Sequence, residues 1–189
     1  MRKNTNNMVI SRSALTASLC LAIVLVGCKD SSEFNEDVAT GAITSNPMKL
    51  EGEQVTLTDP QIQCGVQAEY WDPPMTISPD LTKAHLTAKG TNLKFNDDVI
   101  IHDTTSPVPY VQVRGDFPLQ VVSVTSMKDG EDKNTRLVEA KVGVKIEDAC
   151  FQNPLPLMGV RHGNFSADSP VVFHLHLDDT GWHVDKLVH

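Results

Sequence analysis

The sequence predicts a mainly β protein, either an antiparallel β-sandwich or a small barrel, with at most one or two short helices. Three observations favour this fold class. Apolar and polar residues alternate in short runs after residue 48, turn-forming residues separate those runs, and no long stretch has the spacing of an amphipathic helix. We expect residues 48–189 to form a single β-rich domain.

The clearest predicted strand covers residues 137–146, where five apolar residues from Val138 to Ile146 occupy alternate positions. Alternation rich in β-branched residues is typical of a half-buried strand. The other predicted strands are centred on Val55 and Leu57, Leu93 and Phe95, Val111 and Val113, and Val121 to Val124, or cover residues 171–177 and 182–188. Turn residues separate the strands at 72–74, 96–98, 106–109, 128–130 and 178–181.

One short helix is predicted over residues 79–86, with Ser78 as the N-cap and Pro79 at the first position. Residues 77–79, followed by residues 86–93, are also similar to the opening of immunoglobulin-like IPT/TIG domains. This similarity covers 17 residues and lacks the glycine pair that the family has between the two halves. It therefore adds nothing to the expected fold class.

Residues 1–27 have the composition of a secretory signal peptide. Basic residues and no acidic ones accompany an apolar run that starts near Ala14, and a small residue precedes Cys28. The segment Leu25-Val26-Gly27-Cys28 resembles the lipobox of bacterial lipoproteins. This resemblance implies that the signal peptide is cut just before Cys28, and that Cys28 carries a diacylglyceryl thioether and an acylated amino group, with fatty acids such as palmitate.

Two other interpretations of this segment remain open. Residues 14–27 would be an uncleaved membrane span, although this run is shorter than the roughly 20 residues that cross a bilayer. Alternatively, Cys28 would be incidental in the signal peptide of a soluble secreted protein. Cys20 is incidental in this sense, because Leu19 stands where the lipobox has a small residue.

The lipoprotein resemblance also implies a location in the cell envelope. Lys29 follows the lipobox, whereas an aspartate at this position often retains lipoproteins in the inner membrane, so we expect the periplasmic side of the outer membrane. Two or more acyl chains anchor a protein stably. Without residues 1–27 the chain has 13 basic and 24 acidic residues, a formal net charge of −11. This charge disfavours nucleic acid and anionic headgroups, so the acyl chains must provide membrane binding.

The composition of residues 28–47 predicts a flexible tether, because these residues are mostly polar and show little periodicity. Phe34 is the one large apolar residue before Val38. A flexible chain of about 19 residues has a root-mean-square span of roughly 25 Å. A short partner-binding segment built around Phe34 is the alternative interpretation.

Cys64 and Cys150 remain once the signal peptide is removed and Cys28 is acylated. Because the resemblance implies an oxidising compartment, we expect a disulfide between them. The pattern places Cys64 in an early strand and Cys150 at the end of the long strand. Redox chemistry is the alternative, although neither cysteine belongs to a Cys-x-x-Cys pair.

The C-terminal residues predict a β-hairpin whose turn covers residues 178–181. This register pairs Leu177 with Trp182 and Leu175 with Val184. It also places Phe173 opposite Lys186. The predicted core face consists of Phe173, Leu175, Leu177, Trp182 and Val184.

The other face of the hairpin gathers potential metal ligands. His176 is expected to meet His183, and His174 to meet Asp185, within cross-strand distances of about 5 Å. Three imidazoles and a carboxylate suit zinc or copper, and His189 is the fourth histidine of this region. The alternative is an ordinary solvent-facing side of a half-buried hairpin.

The sequence favours a function other than catalysis. It contains no Gly-x-Ser-x-Gly, no His-Glu-x-x-His and no glycine-rich phosphate loop. We expect a lipid-anchored envelope protein whose β domain is a non-enzymatic binding or structural module for an envelope protein. A periplasmic zinc- or copper-binding lipoprotein that uses the hairpin histidines is the alternative, and an enzyme assembled from distant residues is a third hypothesis.

Overall fold

The computed structural model describes residues 34–188 except 105, 107, 162, 163 and 167. The predicted signal peptide and the predicted acylation site Cys28 lie outside these described residues, as does His189. The helices are α1 (Glu36–Thr44), α2 (Asp59–Gln67) and α3 (Ala88–Thr91), and a 3₁₀ turn covers Ala149–Phe151. The strands are β1 (Met48–Thr56), β2 (Met75–Ser78), β3 (Leu81–Ala84), β4 (Val99–His102), β5 (Tyr110–Phe117), β6 (Leu119–Asp129), β7 (Thr135–Val144), β8 (Leu155–Pro156), β9 (Gly159–Arg161), β10 (Asn164–Ser166), β11 (Val171–Asp178) and β12 (Gly181–Val188).

The described strands form two large antiparallel sheets and one small one. The first sheet has the order β1-β5-β4-β3-β2, and the second has the order β12-β11-β7-β6 with β8 paired to β7. Strands β9 and β10 pair with each other. Buried residues of both large sheets share one hydrophobic core, and neither sheet closes into a barrel within the described residues. The predicted β-sandwich is confirmed, although three α-helices exceed the expected one or two.

Strand β7 confirms the alternation that the sequence predicts. Val138, Ala140, Val142 and Val144 are at most 3% exposed. The strand begins and ends two residues earlier than predicted, so Ile146 lies beyond its end but is still buried. Full burial of a Val or Ile side chain contributes about 1.5–3 kcal/mol, which makes this strand a main source of core stability.

Residues 34–47 belong to the folded domain, which corrects the tether prediction for this part of residues 28–47; residues 28–33 lie outside the described residues. Asn35 begins α1, because its side-chain oxygen accepts a hydrogen bond from Val38 N at 3.0 Å. Two acidic residues follow in the first turn, where the helix dipole favours negative charge.

Helix α1 is held by its apolar stripe. Ala39, Ala42 and Ile43 stand at positions i, i+3 and i+4, and they are at most 8% exposed. The helix packs against β6 and β12, the two outer strands of the second sheet. A stripe this narrow within a polar segment gives almost no periodic signal, which explains why the sequence predicts a tether here.

The prediction of a helix over residues 79–86 is wrong. Residues 75–84 instead form the β2–β3 hairpin, in which Met75 pairs with Lys83. Pro79 and Asp80 form its turn, for which both residue types are well suited. Ala84 is fully buried and pairs with Val99, so strand pairing replaces the two helical turns, which are marginal in isolation.

The positions predicted for the two cysteines also differ from the structure. Cys64 lies in α2, not in a strand. Pro60 stands in the first turn of α2, and Thr58 N donates to the Gln61 side chain at 2.8 Å, a pattern typical of a helix start. Cys150 lies in the 3₁₀ turn beyond β7.

The predicted disulfide between Cys64 and Cys150 is confirmed, with the two Cα atoms 5.5 Å apart. It joins α2 to the 3₁₀ turn, beside a cluster of aromatic rings. Phe151, the residue after Cys150, stacks on Tyr70 with ring centroids 6.3 Å apart and meets Phe95 edge-on at 5.4 Å. Aromatic pairs in this range each contribute about 0.5–1.5 kcal/mol beyond their buried area.

Candidate functional site

The C-terminal hairpin, which carries most of the predicted site residues, has a compact turn. Asp178 pairs with Gly181, and Asp179 and Thr180 lie between them. The Asp178 carboxylate accepts hydrogen bonds at 2.7 Å from both the backbone N–H and the hydroxyl of Thr180. Gly181 has a φ of +125°, a backbone conformation that residues with a side chain rarely adopt. These features fix the turn between β11 and β12.

The predicted register of this hairpin is confirmed near the turn. Leu177 pairs with Trp182, and Leu175 pairs with Val184. On the opposite face, His176 is the cross-strand partner of His183, as predicted.

A β-bulge changes the register further from the turn. Leu175 pairs with Val184 but His174 pairs with Lys186, so Asp185 is the extra residue of β12. Phe173 consequently lies opposite Leu187 instead of the predicted Lys186. The sequence gives no signal for this bulge, because alternation counts residues as if every position were paired.

The bulge still leaves His174 next to Asp185. Nδ1 of His174 lies 3.0 Å from the Asp185 carboxylate. His183 forms a second contact at the turn, where its Nε2 lies 2.7 Å from the Thr180 hydroxyl and 3.2 Å from the Asp178 carboxylate. The pKa of Asp178 is lowered, first by the hydroxyl and backbone hydrogen bonds from Thr180 and then by His183.

The histidine face therefore consists of separate pairs. In the part of the chain that the structure describes, no group of three or more His, Cys, Asp or Glu side chains is placed to hold a metal ion. The predicted ligands His174, His176, His183 and Asp185 lie on β11 and β12, but His174 contacts Asp185, and His183 contacts the turn. The zinc or copper alternative gains no support from this geometry.

A cleft that the sequence does not predict lies beside the hairpin. It has a volume of about 390 Å³, and its walls are the C-terminal end of α1, the first half of β1 and the edge strand β12. His183 and Asp185 line it from β12, together with Lys186. Lys49 and Glu51 line it from β1 and form an exposed ion pair with each other.

This cleft is lined by side chains of both charges and adjoins an uncharged cavity. A second cavity shares Leu187 with it and has a lining made entirely of uncharged residues, among them Met158 and Val188. Val160 and Val188 are 44% and 39% exposed there. We refer to these two adjoining cavities as the β12 groove. The groove could not be predicted, because one of its walls is α1.

A second charged cluster lies in the first sheet, away from the predicted site. The carboxylate of Asp98 contacts Lys83 Nζ at 2.8 Å, His85 Nδ1 at 2.9 Å and Leu86 N at 3.0 Å. Burial acts to raise the pKa of Asp98, but the hydrogen bonds from Lys83 and Leu86 and the nearby Lys83 and His85 side chains outweigh it and lower the pKa. All three partners come from β3 or the residues after it. The cluster therefore holds the turn that contains Asp98, just before β4, against that strand.

Among the residues that the structure describes, no helix is both long and apolar enough to cross a membrane. In comparisons with known proteins, the chain matches no family model, and no curated protein and no solved structure is significantly similar to it.

Proposed function

We propose that this chain is a lipid-anchored envelope protein whose disulfide-bonded β domain is a non-enzymatic binding or structural module. The anchor is Cys28, on the basis of the lipobox resemblance at Leu25–Cys28. The β12 groove is the surface on which a protein partner binds.

The Cys64–Cys150 disulfide carries the proposal. Stable structural disulfides form mainly in oxidising compartments outside the cytoplasm. This one lies between two elements that are 86 residues apart in the chain, so it belongs to the folded domain and not to a local redox loop. It supports the same compartment that the lipobox implies, and the two features arise from different residues.

The β12 groove supports a binding role. It combines one cavity with uncharged walls, which include Val160 and Val188, with an adjoining cleft whose walls carry both Lys186 and Asp185. Protein-binding surfaces typically have apolar centres and charged rims. The bulge at Asp185 interrupts the regular pairing of the edge strand β12 with β11, and bulges in edge strands are common in proteins that avoid uncontrolled strand pairing. We therefore expect recognition through side chains in the groove.

The anchor is tested first. Mass spectrometry of the N-terminal peptide from native membranes should find Cys28 as the first residue, with acyl chains attached. A Cys28→Ala variant should leave the membrane fraction, and a Cys64→Ala/Cys150→Ala variant should remain in it. An unmodified Cys28, or an unprocessed N-terminus, would refute the lipoprotein proposal.

The binding role is tested separately by crosslinking in native membranes. Lys49→Glu/Lys186→Glu reverses two charges in the cleft, and Lys141→Glu/Lys145→Glu reverses two charges outside it. We expect the first variant to lose a crosslinked envelope protein that the wild type and the second variant retain. Absence of any specific crosslink would count against the module, and equal crosslinking by both variants would exclude the groove as its surface.

A further inference from the structure

We infer that the end of the domain around Phe34 faces the phospholipid surface, an inference that rests on the acylation of Cys28 proposed above. A shallow surface depression is lined by Phe34, Met127, Lys128, Asp129 and Arg136. We call these five residues the anchor-proximal patch.

The first argument is the length of chain between the lipid and the folded domain. Phe34 is six residues after Cys28. Six residues reach at most about 21 Å when fully extended, and a flexible chain of that length has a root-mean-square span of about 13 Å. Because residues 34–47 are folded, the domain has much less freedom than a tether of residues 28–47 would give it.

The second argument is that Phe34 is fixed to the domain. Its ring lies 4.6 Å from the ring of Trp182, centroid to centroid. The guanidinium of Arg136 lies 5.8 Å from the Phe34 ring and 5.5 Å from the Trp182 ring. Asn35 then begins α1, which is anchored in the core. The point at which the anchored chain meets the domain is therefore at the patch.

The third argument is the composition of the patch. Met127 is 42% exposed and gives the patch an apolar component beside the Phe34 ring. Lys128 pairs with Glu139 at 2.9 Å, and Arg136 lies 3.4 Å from Asp129. The two cations of the patch are thus balanced by Asp129 within it and by Glu139 on the neighbouring strand, whereas residues 28–189 as a whole carry a net charge of −11. Close approach to lipid phosphates costs least at such a neutral, partly apolar surface.

Acidic residues beside the patch set the lipid dependence. The turn that follows β6 contains Glu131, Asp132 and Lys133, which are all exposed and together carry a formal charge of −1. Anionic lipids repel these carboxylates over a Debye length of about 8 Å at physiological salt. We therefore expect the patch to lie closer to zwitterionic phosphatidylethanolamine than to a surface rich in phosphatidylglycerol.

The orientation can be measured by energy transfer from tryptophan to a dansyl group on the lipid headgroup. The mature acylated chain is reconstituted in phosphatidylethanolamine vesicles, with and without phosphatidylglycerol. Trp182 lies beside the patch, whereas Trp71 is buried in the core. A Trp182→Phe variant separates the two donors. A 20-residue Gly/Ser insertion between Glu33 and Phe34 lengthens the connection. Met127→Asp changes the patch, and Val122→Asp is its control, because Val122 is also exposed and lies on the same strand.

We expect Trp182 to supply most of the transfer. The insertion should reduce transfer at least roughly twofold, because the root-mean-square span of the connection grows from about 13 to about 28 Å. Met127→Asp should reduce transfer more than Val122→Asp does, and phosphatidylglycerol should reduce it in a salt-dependent way. Equal transfer from the wild type and the insertion variant, or greater loss from Val122→Asp, would overturn the orientation.

The same samples distinguish this inference from the proposed function. If mass spectrometry shows acylated Cys28 but transfer from Trp182 is absent, the anchor stands and the orientation is wrong. If Cys28 is unmodified, the proposed function itself fails. If Met127→Asp instead removes a crosslinked protein without changing the transfer, the patch binds that protein and not the lipid.

Discussion

Gly65 lies directly beneath the indole ring of Trp71. A Cβ added at Gly65 would overlap with three atoms of that ring. The ring cannot move away freely, because Trp71 Nε1 donates a 2.9 Å hydrogen bond to the carbonyl of Ile62. Ile62 lies about one turn before Gly65 in α2. The close contact between this helix and the indole therefore requires glycine at position 65.

We expect Gly65→Ala to lower the free energy of unfolding by about 1–3 kcal/mol, because overfilling a packed core forces neighbouring groups to shift. Gly41→Ala is the matched control, since it is also a helical glycine but has nothing within 4 Å of the added Cβ. It should raise stability by about 0.5–1 kcal/mol. Urea unfolding of both variants measures the two effects, and equal changes would contradict the contact.

The disulfide should contribute a large part of the stability. Removing it as Cys64→Ala/Cys150→Ala frees a loop of nearly the full 86-residue separation. The chain-entropy model gives a loss of about 4–5 kcal/mol for a loop of this length. Urea unfolding of the oxidised wild type and the double variant tests this value. A reductant should lower the stability of the wild type and leave the variant unchanged; an effect of reductant on both would mean that the bond is not its target.

The sequence is most informative where strands alternate over a long run. The hairpin register from Leu175 to Val184 could be predicted, because a defined turn and a two-residue period determine which side chains meet. The bulge at Asp185 could not, since it depends on how β12 bends as an edge strand. His174 nevertheless contacts Asp185, because the bulged residue stays beside its predicted neighbour.

Helices are harder to predict from this sequence than strands. Ser78 and Pro79 have the residue types of a helix start, yet they belong to a hairpin whose pairing depends on residues as distant as Val99. Cys64 lies in α2, whose short apolar stripe resembles part of a strand. The β12 groove depends on α1 and on the bulge, so its position follows from tertiary packing that one sequence does not display.

The assignment of residues 34–47 to the folded domain is tested by substitution in α1. Ile43 is 1% exposed, whereas its neighbour Thr44 is exposed. Ile43→Ala should lower the free energy of unfolding by about 2–5 kcal/mol, the usual cost of this truncation in a core. Thr44→Ala should change it by less than about 0.5 kcal/mol. If both substitutions had equally small effects on urea unfolding, residues 34–47 would be a flexible tether after all.

The Asp98 cluster predicts a pH dependence of stability. Because the pKa of Asp98 is lowered in the folded state, its contribution is fully present above the unfolded value of about 3.9 and is lost as pH falls through the folded value. Asp98→Asn should lower stability at pH 7 by about 1–3 kcal/mol, the cost of losing hydrogen bonds to a charged group. The difference from the wild type should shrink below about pH 4. Urea unfolding at pH 7, 5 and 3 measures this, with Asp80→Asn in the exposed β2–β3 turn as the control. A difference between wild type and Asp98→Asn that stayed constant across this range would show that the carboxylate charge is not what fastens β3 to the Asp98 turn.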